Sequence, residues 1–168
     1  MRFKLIGLIL LIAAQNGWAK IDIQRWETPQ GSRVYFLPTN GLPMVDIRIT
    51  FDAGSARDGA QFGVAALTCA LLDTVAGDMN ADQIAANFES VGAGFSAGVS
   101  EDTAWLSLRS LSDPALLGKA LATYQTILGR PAFNEADFQR EKSRDIAGLK
   151  HREESPAETA AIAFGKAL

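Results

Sequence analysis

Two strand candidates separated by a three-residue turn constrain the fold of this chain most strongly. Residues 93–99 and 103–111 flank the polar turn 100–102, and strands joined by so short a connection pair antiparallel. The second strand alternates between two faces, and its apolar face carries Ala104, Leu106 and Leu108. Because such a face must be buried against another layer, the sequence predicts a sheet with helices packed on it.

Helix boundaries with recognisable caps flank this pair of strands. Asn80 is a favourable N-cap for a helix that carries Ile84, Phe88 and Val91 at helical spacing, and Gly92 ends that helix. Further helix starts are marked by Asp113-Pro114, Asn134 and Ser155-Pro156.

Three earlier segments complete the predicted fold. Residues 62–72 contain almost no charge and no alternation, which favours a helix that is buried on most sides. Residues 33–37 and 44–51 have strand character, and we expect them to form an antiparallel hairpin. Strand pairs that alternate with helix pairs predict an α+β fold, namely a two-layer domain with a largely antiparallel sheet packed on helices.

The N-terminus has the three-part layout of a secretory signal peptide. Arg2 and Lys4 precede a short apolar run, and the small residues Gly17 and Ala19 precede the predicted cleavage point. A membrane anchor is the weaker interpretation, because the apolar run is too short to span a bilayer comfortably. We therefore expect a signal peptide at residues 1–19 and an exported, periplasmic protein that has no membrane partner after cleavage near Ala19.

The mature chain is mildly acidic. Cleavage after Ala19 removes two basic residues and no acidic ones, which leaves 14 basic against 19 acidic residues and a net charge of −5. This charge gives no reason to expect a nucleic-acid partner. The single cysteine, Cys69, cannot form an internal disulfide, and its apolar helical surroundings predict a buried, unreactive thiol.

No catalytic constellation is present in the sequence. A zinc site needs at least three converging His, Cys or carboxylate ligands, and the only histidine, His151, lies in a charged helical segment. A Cys69–His151 dyad is disfavoured, because nucleophilic catalysis requires an accessible thiol. The Gly-rich segments DAGSARDG and GAGFSAG match neither a Walker A loop nor a dinucleotide-binding fingerprint.

Four segments in order resemble the insulinase/pitrilysin-type zinc metallopeptidases, the inverted zincins. NGLPMVDIRITFDAGSARDG is similar to the family's strand and loop before the zinc helix, and FGVAALTCALL is similar to the helix motif G-x-A-H-x-x-E-H-x-L. FESVGAGFSAGVSEDTAWLSLRSL resembles the pattern E-x-x-G-x-x-x-x-A-x-x-x-x-D with its following strand, and PAFNEADFQREKSRDIAGLKHREESP resembles the helix that carries the last ligand. The resemblance covers roughly residues 28–164.

The resemblance implies a zinc site in which every ligand has been replaced. The two histidine ligands of the family match Ala66 and Ala70, and the general-base glutamate matches Cys69. The third ligand, a glutamate on a later helix, matches Gly148, or Ala147 if the register slips by one. We therefore expect no catalytic residue, metal or cofactor in this lobe, with zinc only in a catalytic partner. The small side chains predict that the vacated site is refilled as core.

The family's architecture also implies a partner. Its members have paired lobes that enclose a peptide chamber, and some bacterial members consist of separate catalytic and non-catalytic subunits. The resemblance thus implies a non-catalytic subunit or lobe that forms a heterodimer with a homologue carrying H-x-x-E-H. In active lobes the substrate peptide adds to a sheet edge, and the matching residues here are Ala93, Gly94, Phe95, Ser96 and Ala97.

Two other functions stay open. The chain can be part of an active zinc metallopeptidase whose catalytic lobe lies elsewhere in a longer polypeptide, or it can be a stand-alone periplasmic binding domain. A second H-x-x-E-H sequence in the same polypeptide would favour the former. Since family chains typically carry two similar lobes and the sequence stops within a predicted helix, we expect residues 20–168 to form one lobe that is incomplete at its C-terminus.

Overall fold

The computed structural model describes residues 22–39 and 41–167. The chain divides into two compact units between Leu42 and Pro43, and each unit is described by itself. The predicted signal peptide, residues 1–19, lies outside the described residues together with its cleavage site. The extent of the lobe, residues 20–168, stays a prediction.

The first unit contains a short antiparallel hairpin. Strand β1 (Gln24–Glu27) pairs with β2 (Arg33–Phe36), with Gln24 opposite Phe36 and Glu27 opposite Arg33. Gly31 adopts a φ of 86° in the connecting turn, a conformation that glycine adopts without steric cost. Strand β1 has no counterpart in the sequence prediction, because the adjacent Arg25 and Trp26 interrupt any apolar alternation.

The second unit holds the remaining elements. They are β3 (Met44–Phe51), a 3₁₀ turn (Ser55–Arg57), α1 (Val64–Leu71), β4 (Val75–Ala76), β5 (Met79–Asn80), α2 (Ala81–Glu89), β6 (Gly94–Val99), β7 (Ala104–Leu111), α3 (Pro114–Gly129), α4 (Glu135–Glu154) and α5 (Pro156–Ala167). This arrangement confirms the predicted α+β class.

The main sheet has the strand order β3-β7-β6, and both pairings are antiparallel. The predicted hairpin between residues 33–37 and 44–51 is therefore wrong: β2 pairs with β1, and β3 pairs with β7. The β3–β7 register places Ile47 opposite Leu108 and Ile49 opposite Leu106. These apolar cross-strand pairs lie on the face of the sheet that helices cover. A hairpin between residues 33–37 and 44–51 would not place the apolar face of β3 beside that of β7.

The core lies between this sheet and helices α2 and α3. Its buried residues are Ala76, Ile84, Phe88, Val91, Leu106, Leu108, Ala120, Tyr124 and Ile127. Phe88 stacks on Phe95 with ring centroids 5.8 Å apart, and Phe95 in turn meets Tyr124 at 6.0 Å. The buried Tyr124 hydroxyl donates a hydrogen bond to the carbonyl of Leu106 at 3.0 Å, which ties α3 to the central strand.

The predicted caps are present. The Asn80 side chain accepts from the backbone of Gln83, whose side chain accepts from the backbone N–H of Asn80, so the two form a capping box. Asp113 caps α3 and Asn134 caps α4. Helices α4 and α5 are largely exposed, and Glu141 is the only buried residue among the described side chains of the two helices. In residues 22–39 and 41–167, no helix combines the length and apolarity needed to cross a bilayer.

Candidate functional site

Helix α1, which resembles the family's zinc helix, is anchored at its start by Asp58. The helix follows Gly63, whose φ is 93°, and Gly63 offers no side chain to cap it. Asp58 supplies the missing acceptors: its carboxylate receives the backbone N–H of Gly63 at 2.8 Å and that of Ala65 at 2.9 Å. A carboxylate at a helix N-terminus also interacts favourably with the helix dipole. The preceding loop therefore positions α1 firmly.

The three motif positions of α1 differ strongly in burial. Ala66 is exposed, Ala70 is half-buried, and Cys69 is only 8% exposed. The Cys69 thiol donates to the carbonyl oxygen of Gly98 in β6 at 3.5 Å. Burial raises the pKa of this thiol, so it is held in its protonated, weakly nucleophilic form.

The prediction that α1 is buried on most sides is wrong. Only Cys69 and Leu71 are buried within it, and Val64 is 47% exposed. The helix is covered mainly where it meets β6, α4 and the 3₁₀ turn Ser55–Arg57, and much of its remaining surface is exposed. The expected refilling of the vacated site as core is thus correct for Cys69 and incorrect for Ala66.

The positions that match the third zinc ligand lie on α4, which packs against α1. Ala147 and Gly148 are both exposed and carry no ligand atom in their side chains. His151 is also exposed, on the last turn of the same helix. Within the part of the chain that the structure describes, no three His, Cys, Asp or Glu side chains converge as a metal site would require.

Strand β6 is an edge of the described three-stranded sheet and pairs only with β7. Its side chains alternate: Phe95 and Ala97 face the core, while Gly94 and Ser96 face outward with Gly98. At Gly98 the ring of Trp105 lies so close that a Cβ atom would stand 2.6 Å from it. The outer face of this edge is therefore made of small residues, which permit the close approach of another backbone.

A cavity of about 620 Å³ opens beside the start of β6. Its lining comes from α1, α2, β6 and α4 and includes Ala70 and the first three residues of the predicted peptide-binding edge, Ala93, Gly94 and Phe95. Its ionisable residues are Asp73, Asp82, Glu89, Glu141 and Arg144. We name this cavity the acidic pocket.

Two carboxylates in the acidic pocket are in unfavourable surroundings. Partial burial raises the pKa of Asp73, and the nearby charge of Glu141 raises it further, against the opposing effect of a backbone hydrogen bond. Glu141 is 6% exposed, and its Oε2 atom has no hydrogen-bond partner among the described residues, although the Arg144 guanidinium forms an ion pair with it. The sequence prediction missed this pocket, because nothing distinguishes Glu141 from the other charged residues of its helix.

A second cavity, of about 510 Å³, lies on the other side of α1. Its lining is mainly apolar and includes Phe51, Val64, Leu72, Leu106 and Leu128. Arg57 lies at this cavity and forms an ion pair with Asp52, so the lining presents a neutralised charge pair beside apolar side chains.

Three solved structures share the fold of this chain. The structure of a peptidase M16 inactive domain from Pseudomonas fluorescens is 36% identical with a TM-score of 0.82, and the match covers 85% of this chain and 35% of that one. A protease from Helicobacter pylori has 17% identity and a TM-score of 0.72, covering 83% of this chain and 34% of that one. An M16-like peptidase from Alicyclobacillus acidocaldarius has 16% identity and a TM-score of 0.68, covering 85% and 34%.

This chain thus spans about a third of the length of the solved proteins that it matches. No protein-family model matches the sequence, and no curated protein matches it. The two proteins below 25% identity show the shared fold, whereas the Pseudomonas domain is also similar in sequence over most of the chain. With its two-layer fold and its ordered family segments, the chain belongs to the insulinase/pitrilysin-type (M16) peptidase family, as a homologue of an inactive domain that lacks the H-x-x-E-H motif.

Proposed function

We propose that this chain is the non-catalytic lobe of a periplasmic zinc metallopeptidase and closes a peptide chamber together with a catalytic homologue. The observation that carries the proposal is helix α1, which keeps the position of a zinc helix in an M16 fold but has Ala66, Cys69 and Ala70 where the motif has two histidines and a glutamate. With one histidine in the whole sequence, H-x-x-E-H is impossible here. The lobe therefore hydrolyses no peptide by the family mechanism.

The chemistry left to such a lobe is peptide binding at the β6 edge. This edge presents backbone N–H and C=O groups that have no strand partner among the described residues. The small residues Gly94 and Ser96 leave its outer face open at the start of the strand, whereas the Trp105 ring covers Gly98. An extended peptide would gain backbone hydrogen bonds there, which is how strand addition provides affinity without strict sequence selection.

Exposed apolar side chains support association with a partner. Phe62 is 91% exposed beside α1, and Leu149 of α4 and Phe164 of α5 are 56% and 67% exposed. A partner subunit that covers these side chains would remove apolar area from water, which favours association. The partner we propose is the homologue carrying H-x-x-E-H, in which zinc would reside.

The test is reconstitution with an H-x-x-E-H homologue encoded in the same genome. We expect a 1:1 complex by size-exclusion chromatography with light scattering, no hydrolysis of a fluorogenic peptide by this chain alone, and at least a tenfold higher rate for the complex than for the catalytic homologue alone. Zinc-dependent hydrolysis by this chain alone, or failure to form any complex, would contradict the proposal. A mature N-terminus at Lys20 in the periplasmic fraction tests the predicted export.

A second candidate is the non-catalytic lobe of a single longer polypeptide whose other lobe carries the motif. It is favoured by the match to about a third of the Pseudomonas chain. The two candidates are separated by the intact mass of the native protein and by whether its full reading frame contains H-x-x-E-H.

A further inference from the structure

The lining of the acidic pocket carries an excess of negative charge. Four carboxylates, from Asp73, Asp82, Glu89 and Glu141, line it against one guanidinium, that of Arg144. The volume, about 620 Å³, is in the range of cavities that admit a ligand group. A cation would be attracted to this charge.

Glu141 is the pocket residue whose buried charge is only partly compensated within the protein. It is the only buried residue of α4, and its Oε2 atom lacks a hydrogen bond of good geometry among the described residues. Arg144 forms an ion pair with this atom, and the Arg140 Nε atom lies 3.7 Å from the Glu141 Oε1 atom. A buried carboxylate without full hydrogen bonding destabilises a protein unless a cation compensates it. The two arginines supply part of this compensation, and the position of Glu141 on the pocket wall allows a ligand to supply the rest.

Arg144 shows that the Glu141 carboxylate pairs with a cationic side chain. Its guanidinium forms an ion pair with Glu141 from one helical turn away, while 69% of the Arg144 side chain stays exposed. A guanidinium that keeps most of its hydration neutralises the buried carboxylate only in part, so a second cation in the pocket can join it. Lys and Arg side chains carry such groups on stems long enough to reach a recessed carboxylate.

The pocket also adjoins the proposed peptide-binding edge. Ala93, Gly94 and Phe95 line it, and they are the residues at which β6 begins. A strand added to this edge would direct alternate side chains to one side of the sheet. One of these side chains would point toward the acidic pocket.

We propose that the acidic pocket receives a lysine or arginine side chain of a peptide bound along β6, so that this lobe selects basic peptides. This inference rests on the proposed peptide binding. It adds a charge preference to an edge that would otherwise bind any extended backbone.

The experiment measures binding of fluorescent extended peptides to the intact chain. In each peptide one position carries either lysine or its uncharged analogue norleucine, and the position is varied along the peptide. We expect at least a tenfold lower Kd for lysine at one position, and a preference that decreases as ionic strength increases. A peptide with N-methylated backbone groups should bind poorly, because it cannot pair with the edge.

Two variants locate the preference. Glu141→Gln and Asp73→Asn remove pocket charges with little change in volume, and each should reduce the lysine preference at least threefold. Glu153→Gln, at an exposed position of the same helix, is the matched control and should leave it unchanged. Equal binding of lysine and norleucine peptides by the wild type, or an undiminished preference in both pocket variants, would overturn the acidic-pocket proposal and leave peptide binding intact. Absence of binding by every peptide would overturn both proposals.

Discussion

At the scale of single residues, Cys69 and Asp73 show how the surroundings of a side chain alter its chemistry. Cys69 is the residue that we match to the family's general base, but burial raises the pKa of its thiol, which donates to the carbonyl oxygen of Gly98. Asp73 lies four residues further along the chain, close enough to Glu141 for the charge of Glu141 to raise the pKa of Asp73. Groups held in such unfavourable surroundings reduce stability and are common at functional sites.

Asp73 should make the protein less stable as pH rises. Its pKa in the folded state lies above the ordinary value of 3.8, mainly through burial and then through the charge of Glu141. Its favourable contribution is therefore present below pH 3.8 and lost as pH rises through the folded-state pKa. We expect Asp73→Asn, which cannot ionise, to gain free energy of unfolding relative to wild type between pH 3 and pH 7, measured by urea denaturation.

The Glu141→Gln background provides the control for this pH effect. Because the charge of Glu141 contributes to the raised pKa of Asp73, the pH-dependent gain from Asp73→Asn should become smaller in that background. An Asp73→Asn effect that is equal at pH 3 and pH 7 would show that ionisation of Asp73 does not affect stability.

At the level of elements, the loop before α1 is locked onto the β6–β7 hairpin. Backbone N–H groups of Gly54, Ser55 and Ala56 donate to the carbonyls of Asp102, Ser100 and Glu101 at 3.2, 2.9 and 2.9 Å. The contact joins the start of α1 to the far end of the proposed peptide-binding edge. Asp58 then holds the helix from the same loop.

Substituting Gly54 should break this lock. A Cβ atom at position 54 would collide with the backbone of residues 101–103, and backbone cannot yield as a flexible side chain can. We expect Gly54→Ala to lower the free energy of unfolding by about 3 kcal/mol. The measurement is equilibrium denaturation in urea.

Gly118→Ala is the matched control. Gly118 lies within α3, and a Cβ atom there meets nothing within 4 Å. Since alanine favours a helix over glycine, this variant should be neutral or more stable by about 0.5–1 kcal/mol. Equal effects of the two substitutions would show that the close contact of Gly54 with residues 101–103 does not contribute to stability.

At the scale of the whole molecule, the lobe keeps the M16 fold while its sequence lacks the H-x-x-E-H motif. Helices α1 and α4 pack together. The positions that we match to the family's zinc site carry alanine and cysteine on α1 and glycine on α4. Family membership alone would predict a zinc enzyme, whereas these side chains predict a binding lobe.

Zinc content tests this conclusion directly. We expect the purified mature chain to hold well below one equivalent of zinc by elemental analysis after dialysis, because too few ligand atoms converge in it. A homologue with an intact H-x-x-E-H motif, carried through the same dialysis, is the control that should retain its metal. Stoichiometric zinc in this chain would contradict the pseudo-peptidase assignment, and His151 and Cys69 would be the first ligands to substitute.

Local sequence patterns were sufficient to predict the helices, three of the longer strands and the missing catalytic motif. Caps at Asn80, Asp113 and Asn134 and the alternation of residues 104–111 act over a few neighbouring residues, so they can be identified without the fold. The absence of H-x-x-E-H is likewise a property of the sequence.

The pairing of the strands and the burial of individual side chains could not be predicted from such local patterns. Strand β3 pairs with β7, about 60 residues away, rather than with the nearby β2, because that pairing brings two apolar faces together under α2 and α3. Glu141 is buried on a helix that packs against α1, although its local sequence matches that of a solvated helix. Burial and strand partnership depend on contacts between distant segments, and these contacts created the acidic pocket that no local pattern predicted.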